Sequence, residues 1–301
     1  MSKTDYRLKF TPVIRYLEKN VDQNLNLNEV AKLAHLSPYY FHRIFKAVTD
    51  ETPADFIRRL KLEKAANQLF YHKEPVTKVA LDFGFSSSQA LAKAFRGYFA
   101  ISPSAVRNCE NLATYNQLLR DSKIGHLLRN NGHASSEDKL YASSANQPRR
   151  VSMKTEQFDN KTLAYIRVTG PYGEGYDVAS EKLYRWAGPM GLARGESLFI
   201  YHDNPELTPA EKCRTDICIA VPADTKPPAG IEIQTLASGG YATLRKTVTE
   251  FSQYPLFWQQ LMNQVVEAEL SVDNRPCFEL YHSFDPVTKQ ADVSFCSAVK
   301  L

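Results

Sequence analysis

Two stretches within the first hundred residues repeat one another, and this constrains the fold more than any other feature of the chain. Val30-Ala31 to Leu36-Ser37 returns forty-nine residues later as Val79-Ala80 to Phe85-Ser86, and Phe41, Phe45, Lys46 and Pro53 return at fifty as Leu91, Phe95, Arg96 and Pro103. Each copy reads as a short helix, a tight turn and a longer helix. A unit of this kind presents one stripe of side chains to a groove, so two copies on a rigid connector are built to read two successive stretches of duplex DNA.

Local signals divide each copy into an inner and an outer face. Thr11 and Pro12 are placed to open a helix over 12–20, with Val13, Ile14 and Leu17 inward, and Asn28 to cap a helix over 29–34. Ser37-Pro38 opens the longer helix of the first copy, where Phe41, Ile44, Phe45 and Val48 fall at i, i+3, i+4, i+7 and must face the core. Tyr39, His42, Arg43 and Lys46 then lie on the other side, where they can bond base edges or phosphates. In the second copy Pro75-Val76-Thr77 begins the short helix, Gly84 turns the chain, and Ser86 to Ser88 cap a helix with Leu91, Ala94, Phe95 and Tyr98 inward. Gln89, Ala92, Lys93 and Arg96 point outward, and Ser87 and Ser88 near the helix start can reach bases or phosphate. Between the copies, residues 54–70 lack Gly and Pro and place Phe56, Ile57, Leu60 and Ala65 at helical spacing. At about 1.5 Å per residue this is a rod of roughly 25 Å. Such a rod can hold two reading helices about one duplex turn, roughly 34 Å, apart. Arg58, Arg59, Lys61 and Lys64 read as its solvated face.

Charge is distributed unevenly. Residues 1–107 hold 17 Lys/Arg against 10 Asp/Glu, a net of +7, residues 108–150 a net of +2, and residues 151–301 hold 14 against 19, a net of −5. A basic end suits phosphate. The length of 301 residues favours two or three domains. No run approaches the roughly 18 to 20 apolar residues of a membrane span, and Met-Ser-Lys-Thr-Asp lacks a secretory apolar core, so the expectation is a cytoplasmic, nucleoid-associated protein without a membrane partner. The cysteines, Cys109, Cys213, Cys218, Cys277 and Cys296, are odd in number and scattered without a CxxC pair. They read as reduced thiols, with neither a disulfide framework nor a metal site.

Residues 108–150, rich in Asn, Ser, Gly and Ala, read as a linker with helical spacing only over 112–128. From Val151 the period changes to two. Strands are expected over 162–169, 197–202, 215–221, 241–248, 277–283 and 291–299, with helices over 178–186 and 256–270. Leu198-Phe-Ile-Tyr-His202 matches Phe278-Glu-Leu-Tyr-His282 eighty residues on, and Leu-Ala-Tyr-Ile-Arg167 matches Tyr-Ala-Thr-Leu-Arg245 at seventy-eight. Two βαββ halves should therefore pack about a pseudo-twofold axis, and a cleft between such halves is a natural small-molecule site. Where the first half has Phe199 the second has Glu279, on the same strand face as Tyr281. If that face lines the cleft, one carboxylate among aromatics suits a cationic or amphipathic ligand. Periodicity alone leaves open that Glu279 faces water on an edge strand.

Both halves carry a family resemblance. FHRIFKAVTDETPADFIRRLKLEKAANQLF followed by PVTKVALDFGFSSSQALAKAFRGYFAISPSAVR resembles the DNA-binding domain of the AraC/XylS regulators over nearly all of residues 8–107. The resemblance implies a seven-helix module whose helices over 38–48 and 86–99 enter the major groove. Asp50-Glu51 departs from a frequent glycine, and Tyr98-Phe99-Ala100 from a common Phe-Gly pair. Residues 152–300, with the Glu-x-Tyr strand and Thr215-Asp216-Ile-x-Ile-x-Val221, resemble the GyrI-like effector-binding domain. This implies a ligand cavity holding Glu279 within aromatic walls, drawn from Tyr165, Trp186, Phe199, Tyr201, Tyr241, Trp258 and Tyr281.

The expected architecture is therefore multi-domain: an all-α double helix-turn-helix DNA-binding domain (1–107), a linker (108–150) and an α+β domain of duplicated βαββ units (151–301). The expected function is a sequence-specific transcription regulator whose partners are double-stranded DNA and a small amphipathic or cationic effector. By resemblance it is an activator that contacts RNA polymerase. No cofactor and no catalytic residue is expected. Two alternatives stay open, a GyrI-like hydrolase with Glu279 as general base beside a tyrosine, and a C-terminal domain that binds another protein.

Overall fold

Helical start and stop signals recur through the first third of the computed structural model, which describes residues 3–23, 25–122, 152–205, 207–273 and 275–301 and, of these, all side chains but those of 3–9, 39 and 113. The expected linker lies outside the described residues from 123 to 151. Two compact units result, one holding most described residues up to 122 and the other those from 152 onward.

The first unit is helical throughout. Helix α1 (Lys3–Lys19) corrects the expected start at Pro12, which lies inside it. The backbone bond that a proline forfeits there is offset by burial on either side, since Phe10, Val13 and Leu17 all enter the core. Helix α2 (Leu27–Leu33) is capped by Asn26 rather than Asn28: the Asn26 side chain accepts from the Asn28 amide at 3.0 Å. Starting there brings Val30 and Ala31 into the core. Helix α3 (Pro38–Thr49) begins at the expected Ser37 cap, and its Phe41 stacks on Phe10 with ring centroids 5.8 Å apart. Phe45 meets Phe56 edge-on, which seats α3 against the connecting rod α4 (Pro53–Tyr71). The second copy follows as α5 (Val76–Asp82), α6 (Ser88–Phe99) and α7 (Pro103–Arg107), with Leu91, Phe95 and Phe99 buried on α6. Helix α8 (Leu112–Arg120) follows in the chain.

The repeat extends to backbone conformation. His35 (φ 54°) and Gly84 (φ 72°) turn the chain at positions forty-nine apart, and Asp50 (φ 59°) and Ala100 (φ 61°) end α3 and α6 in the left-handed region fifty apart. Ser37 and Ser87, and Thr52 and Ser102, are matching caps whose hydroxyls accept from the amide three residues on. One expectation fails on the rod. Arg59 is buried beside Glu51 and Glu63 instead of lying on the solvated face, whereas Arg58 and Lys64 are exposed.

In the second unit the strands are β1 (Lys154–Phe158), β2 (Lys161–Thr169), β3 (Ser197–Tyr201), β4 (Arg214–Ala220), β5 (Glu232–Leu236), β6 (Gly239–Val248), β7 (Cys277–Phe284) and β8 (Ala291–Ala298). Helix α9 (Tyr176–Ala187) packs on β2 and β4, and α10 (Gln253–Glu267) on β6 and β8. The βαββ expectation is corrected to ββαββ, because β1 and β5 precede the respective halves. All eight strands form one antiparallel sheet in the order β1-β6-β8-β7-β3-β4-β2-β5. Each added strand crosses over, β1 pairing with β6 and β5 with β2, so the halves exchange edges. Exchanging each strand for its counterpart leaves the order unchanged when it is read from the other end. The axis falls at the β3–β7 pair, where Phe199 lies opposite Glu279, its own counterpart in the duplication. Glu279 is therefore central in the sheet, not on an edge strand.

Candidate functional site

The duplication builds a cage around its own axis. On β3 and β7 the side chains of Phe199, Tyr201, Glu279 and Tyr281 share the sheet face that carries the helices, as period two requires. The first residue of α9, Tyr176, and the early α10 residue Tyr254 are counterparts at seventy-eight and flank this row from opposite halves. Tyr176 meets Phe199 edge-on at 5.5 Å, and Phe199 lies 4.6 Å from Tyr281. Tyr172 and Trp258 each meet Tyr201 edge-on, at 4.9 and 5.9 Å.

Glu279 sits at the base of these rings and is 1% exposed. Its carboxyl accepts three bonds: Trp258 Nε1 donates to Oε1 at 2.8 Å, and the Tyr201 and Tyr281 hydroxyls donate to Oε2 at 2.9 Å each. Among the described residues no Lys or Arg forms an ion pair with it. Burial pushes the carboxyl up to about 7, while the bonds from Trp258, Tyr201 and Tyr281 pull it back. The tyrosines respond in kind. Burial and then the nearby Glu279 hold Tyr201 and Tyr281 well above the ordinary phenol range, and burial lifts Tyr176 to about 12. The arrangement is a buried carboxyl bonded by three neutral donors within an aromatic wall.

Of the ligand-binding residues expected from sequence, the structure brings together Glu279, Tyr281, Phe199, Tyr201 and Trp258. Tyr165 and Tyr241 do not join them. Alternation puts both on the opposite face of the sheet, in an apolar cluster with Leu198, Phe278 and Cys296. There Tyr165 donates to Glu232 at 3.0 Å and Arg275 lies 4.7 Å over the Tyr241 ring. Trp186 packs between α9 and the sheet, nearly three turns from Tyr176. Tyr172, Tyr176 and Tyr254 were missed. The seventy-eight-residue match that pairs Arg167 with Arg245 also pairs Tyr176 with Tyr254, so two of the three carried a signal. His202 turns away from the cage, with its Nε2 2.9 Å from Arg167 and 2.7 Å from Asp216. Burial alone would raise Asp216, yet His202 and Arg167 hold it well below the usual carboxylate range. Among the described residues no group of three His, Cys, Asp or Glu could hold a metal ion.

In the helical unit His42, Arg43 and Lys46 on α3 and Gln89, Lys93 and Arg96 on α6 are exposed, opposite the buried phenylalanines of each helix. The side chain of Tyr39 lies outside the described residues. Ser87 caps α6, accepting from the Ala90 amide at 3.1 Å, so it is committed to the helix start as an acceptor, and Ser88 Oγ lies 3.4 Å from Gln89 Oε1.

Comparison with known proteins finds matches to both units. A helix-turn-helix domain family matches residues 30–108, and the GyrI-like small molecule binding domain matches residues 152–294. The regulatory protein SoxS of Escherichia coli is 35% identical over 96 residues, covering 32% of this chain and 90% of SoxS. The transposon Tn10 TetD protein of Escherichia coli is 39% identical over 95 residues, covering 32% of this chain and 69% of TetD. A DNA gyrase inhibitor of Citrobacter rodentium is 30% identical over 135 residues, covering 44% of this chain and 85% of the inhibitor. Together these place a helix-turn-helix unit before a small-molecule unit in the chain. The chain belongs to the AraC-type helix-turn-helix transcription regulators and carries a GyrI-like small molecule binding domain at its C-terminal end.

Proposed function

We propose that the cage around Glu279 is the effector site and that it takes a small organic cation with an aromatic or otherwise apolar body. The observation that carries this reading is the buried carboxyl with three neutral donors, no cationic partner among the described residues, and rings on its flanks. An uncompensated buried anion costs several kcal/mol. A bound cation offsets that cost and gains ring-face attraction of about 2 kcal/mol where water is excluded. The DNA contacts are assigned to His42, Arg43 and Lys46 with Tyr39 on α3, and to Gln89, Lys93 and Arg96 with Ser88 near its start on α6. Activation through RNA polymerase completes the reading.

The test is calorimetric titration of the full chain with tetraphenylphosphonium and with neutral triphenylphosphine oxide. The expected result is binding of the cation alone, weakened at least about tenfold in Glu279→Gln, the loss of about 1.4 kcal/mol or more that removing a buried charge partner brings. Equal binding of the neutral compound would sink the proposal. On the DNA side, Arg43→Ala should cost about 1 to 3 kcal/mol of specific binding if it bonds a base. Unchanged affinity and unchanged salt slope would remove Arg43 from the interface.

A second reading is favoured by one observation. A carboxyl near 7 beside two tyrosyl hydroxyls also meets the needs of a general base for hydrolysing a strained electrophile. Turnover of an epoxide that Glu279→Gln abolishes would establish it.

A further inference from the structure

A set of buried charges lies between the two helix-turn-helix copies. Arg59, in the middle of α4, is 4% exposed. Its guanidinium grips Glu51 with a fork, Nε to Oε1 at 3.0 Å and one terminal nitrogen to Oε2 at 3.0 Å, while the other terminal nitrogen reaches Glu63 Oε2 at 3.3 Å. The Tyr98 hydroxyl donates to Glu63 Oε1 at 3.4 Å. Glu51 stands in the turn directly after α3, and Tyr98 in the last turn of α6. One guanidinium and one carboxylate on a single turn of the rod thus tie down the C-terminal ends of both helices.

The chemistry of the set suits positioning better than stabilisation. Burial by itself weakens the Arg59 charge, but Glu63 and Glu51 outweigh it and hold the cation above its ordinary value. Buried ion pairs add little net stability relative to apolar residues of equal volume. What they add is direction, because a two-bonded guanidinium–carboxylate fork fixes an angle that an apolar contact leaves free to slide. Apolar contacts at Phe45 and Phe56 already seat α3 on the rod. The polar set is the part that fixes where the helix end comes to rest.

We propose that Arg59 is a positioning residue that fixes α3 and α6 relative to one another on α4, and so sets the spacing between the two DNA segments that the protein accepts. The inference rests on the reading of α3 and α6 as the DNA-contacting helices. It predicts that spacing preference and base preference can be separated by substitution.

The full chain would select its preferred duplex from a random pool, footprinting would locate the protected segments, and single base pairs would then be inserted or removed between them. The wild type should lose affinity about tenfold for a one-base-pair change, comparable to one mismatched pair. The variant carrying Arg59→Met, Glu51→Gln and Glu63→Gln removes the cation and both carboxylates of the set together. It should keep its base preference within each segment while the spacing penalty falls to about threefold or less. Tyr98→Phe, which removes one hydroxyl, should show an intermediate penalty and covers the case in which the triple variant fails to fold. An unchanged spacing profile in both variants, or a uniform loss of affinity at every spacing, overturns the role of Arg59 alone. A wild-type footprint confined to a single segment overturns the two-helix reading and the inference with it.

Discussion

Ala100 ends α6 in the left-handed region at φ 61°, where a Cβ is strained, whereas Gly84 at φ 72°, in the turn between α5 and α6, has a glycine for that conformation. A non-glycine residue there costs about 1 kcal/mol. Ala100→Gly should therefore raise the unfolding free energy of the helical unit by up to about 1 kcal/mol, and Gly84→Ala should lower it by a similar amount, both read by urea denaturation. The departure from glycine was visible in sequence, but its cost was not, because φ is a property of the folded turn. Glu279 supplies the second residue-scale test. Its carboxyl is raised from an ordinary 4.5 to about 7, so between those values the folded state holds a proton that the unfolded chain has released. Stability then falls as pH rises through this window and is free of the penalty below it. The full effect is about 3 kcal/mol. Melting curves from pH 4.5 to 8 should show a steeper decline for the wild type than for Glu279→Gln, and parallel curves would contradict the raised value. The same sign makes cation binding tighten with pH until Glu279 is fully ionised.

Elements that carry one apolar stripe were legible in the sequence. The stripes Phe41-Ile44-Phe45-Val48 and Leu91-Ala94-Phe95-Tyr98 give α3 and α6 nearly to the residue, because burial of one helix face leaves a period of 3.6. The strands β1 (KTEQF) and β5 (EIQTL) left no such mark. Each is five residues long and largely polar, and its place is fixed by pairing with a strand of the other half. The loops that lead into α9 and α10 meet in a contact that sequence did not indicate either. A Cβ built on Gly173 (φ 90°) would fall 2.0 Å from the Phe251 ring, so the tip of that ring abuts the glycine although Phe251 is 63% exposed. Phe251 also lies 5.7 Å from the cage residue Tyr254. Gly173→Ala should destabilise the second unit by about 1 to 3 kcal/mol through overpacking and backbone strain. Adding Phe251→Ala should recover the overpacking part and leave the strain, a coupling that a double-mutant cycle in denaturant resolves; additive losses would contradict the contact.

At the scale of the whole molecule the chain is two electrostatic systems, a net of +7 over residues 1–107 and of −5 over 151–301. They should answer salt differently. DNA binding by six or more phosphate contacts should weaken by about a thousandfold between roughly 50 and 200 mM salt, and removing Lys46 or Arg96 should each reduce the slope by about 1 where they meet phosphate. Cation binding at a carboxyl that is 1% exposed should change far less over that range, because a buried pair is poorly screened. Anisotropy for DNA and calorimetry for the cation measure the two slopes on one sample, and equal slopes would place the cation on the surface. By itself the sequence determined the two duplications, the outward stripes of α3 and α6, and the asymmetry of Phe199 and Glu279, because repeats and periodicities are properties of the order of residues. Tertiary structure alone decided that Glu279 lies on the pseudo-twofold axis, that Tyr165 and Tyr241 lie on the far face, and that Arg59 is buried between Glu51 and Glu63. Each of these depends on which strand or helix end arrives opposite the residue, and that is set by pairing and packing between segments far apart in the chain.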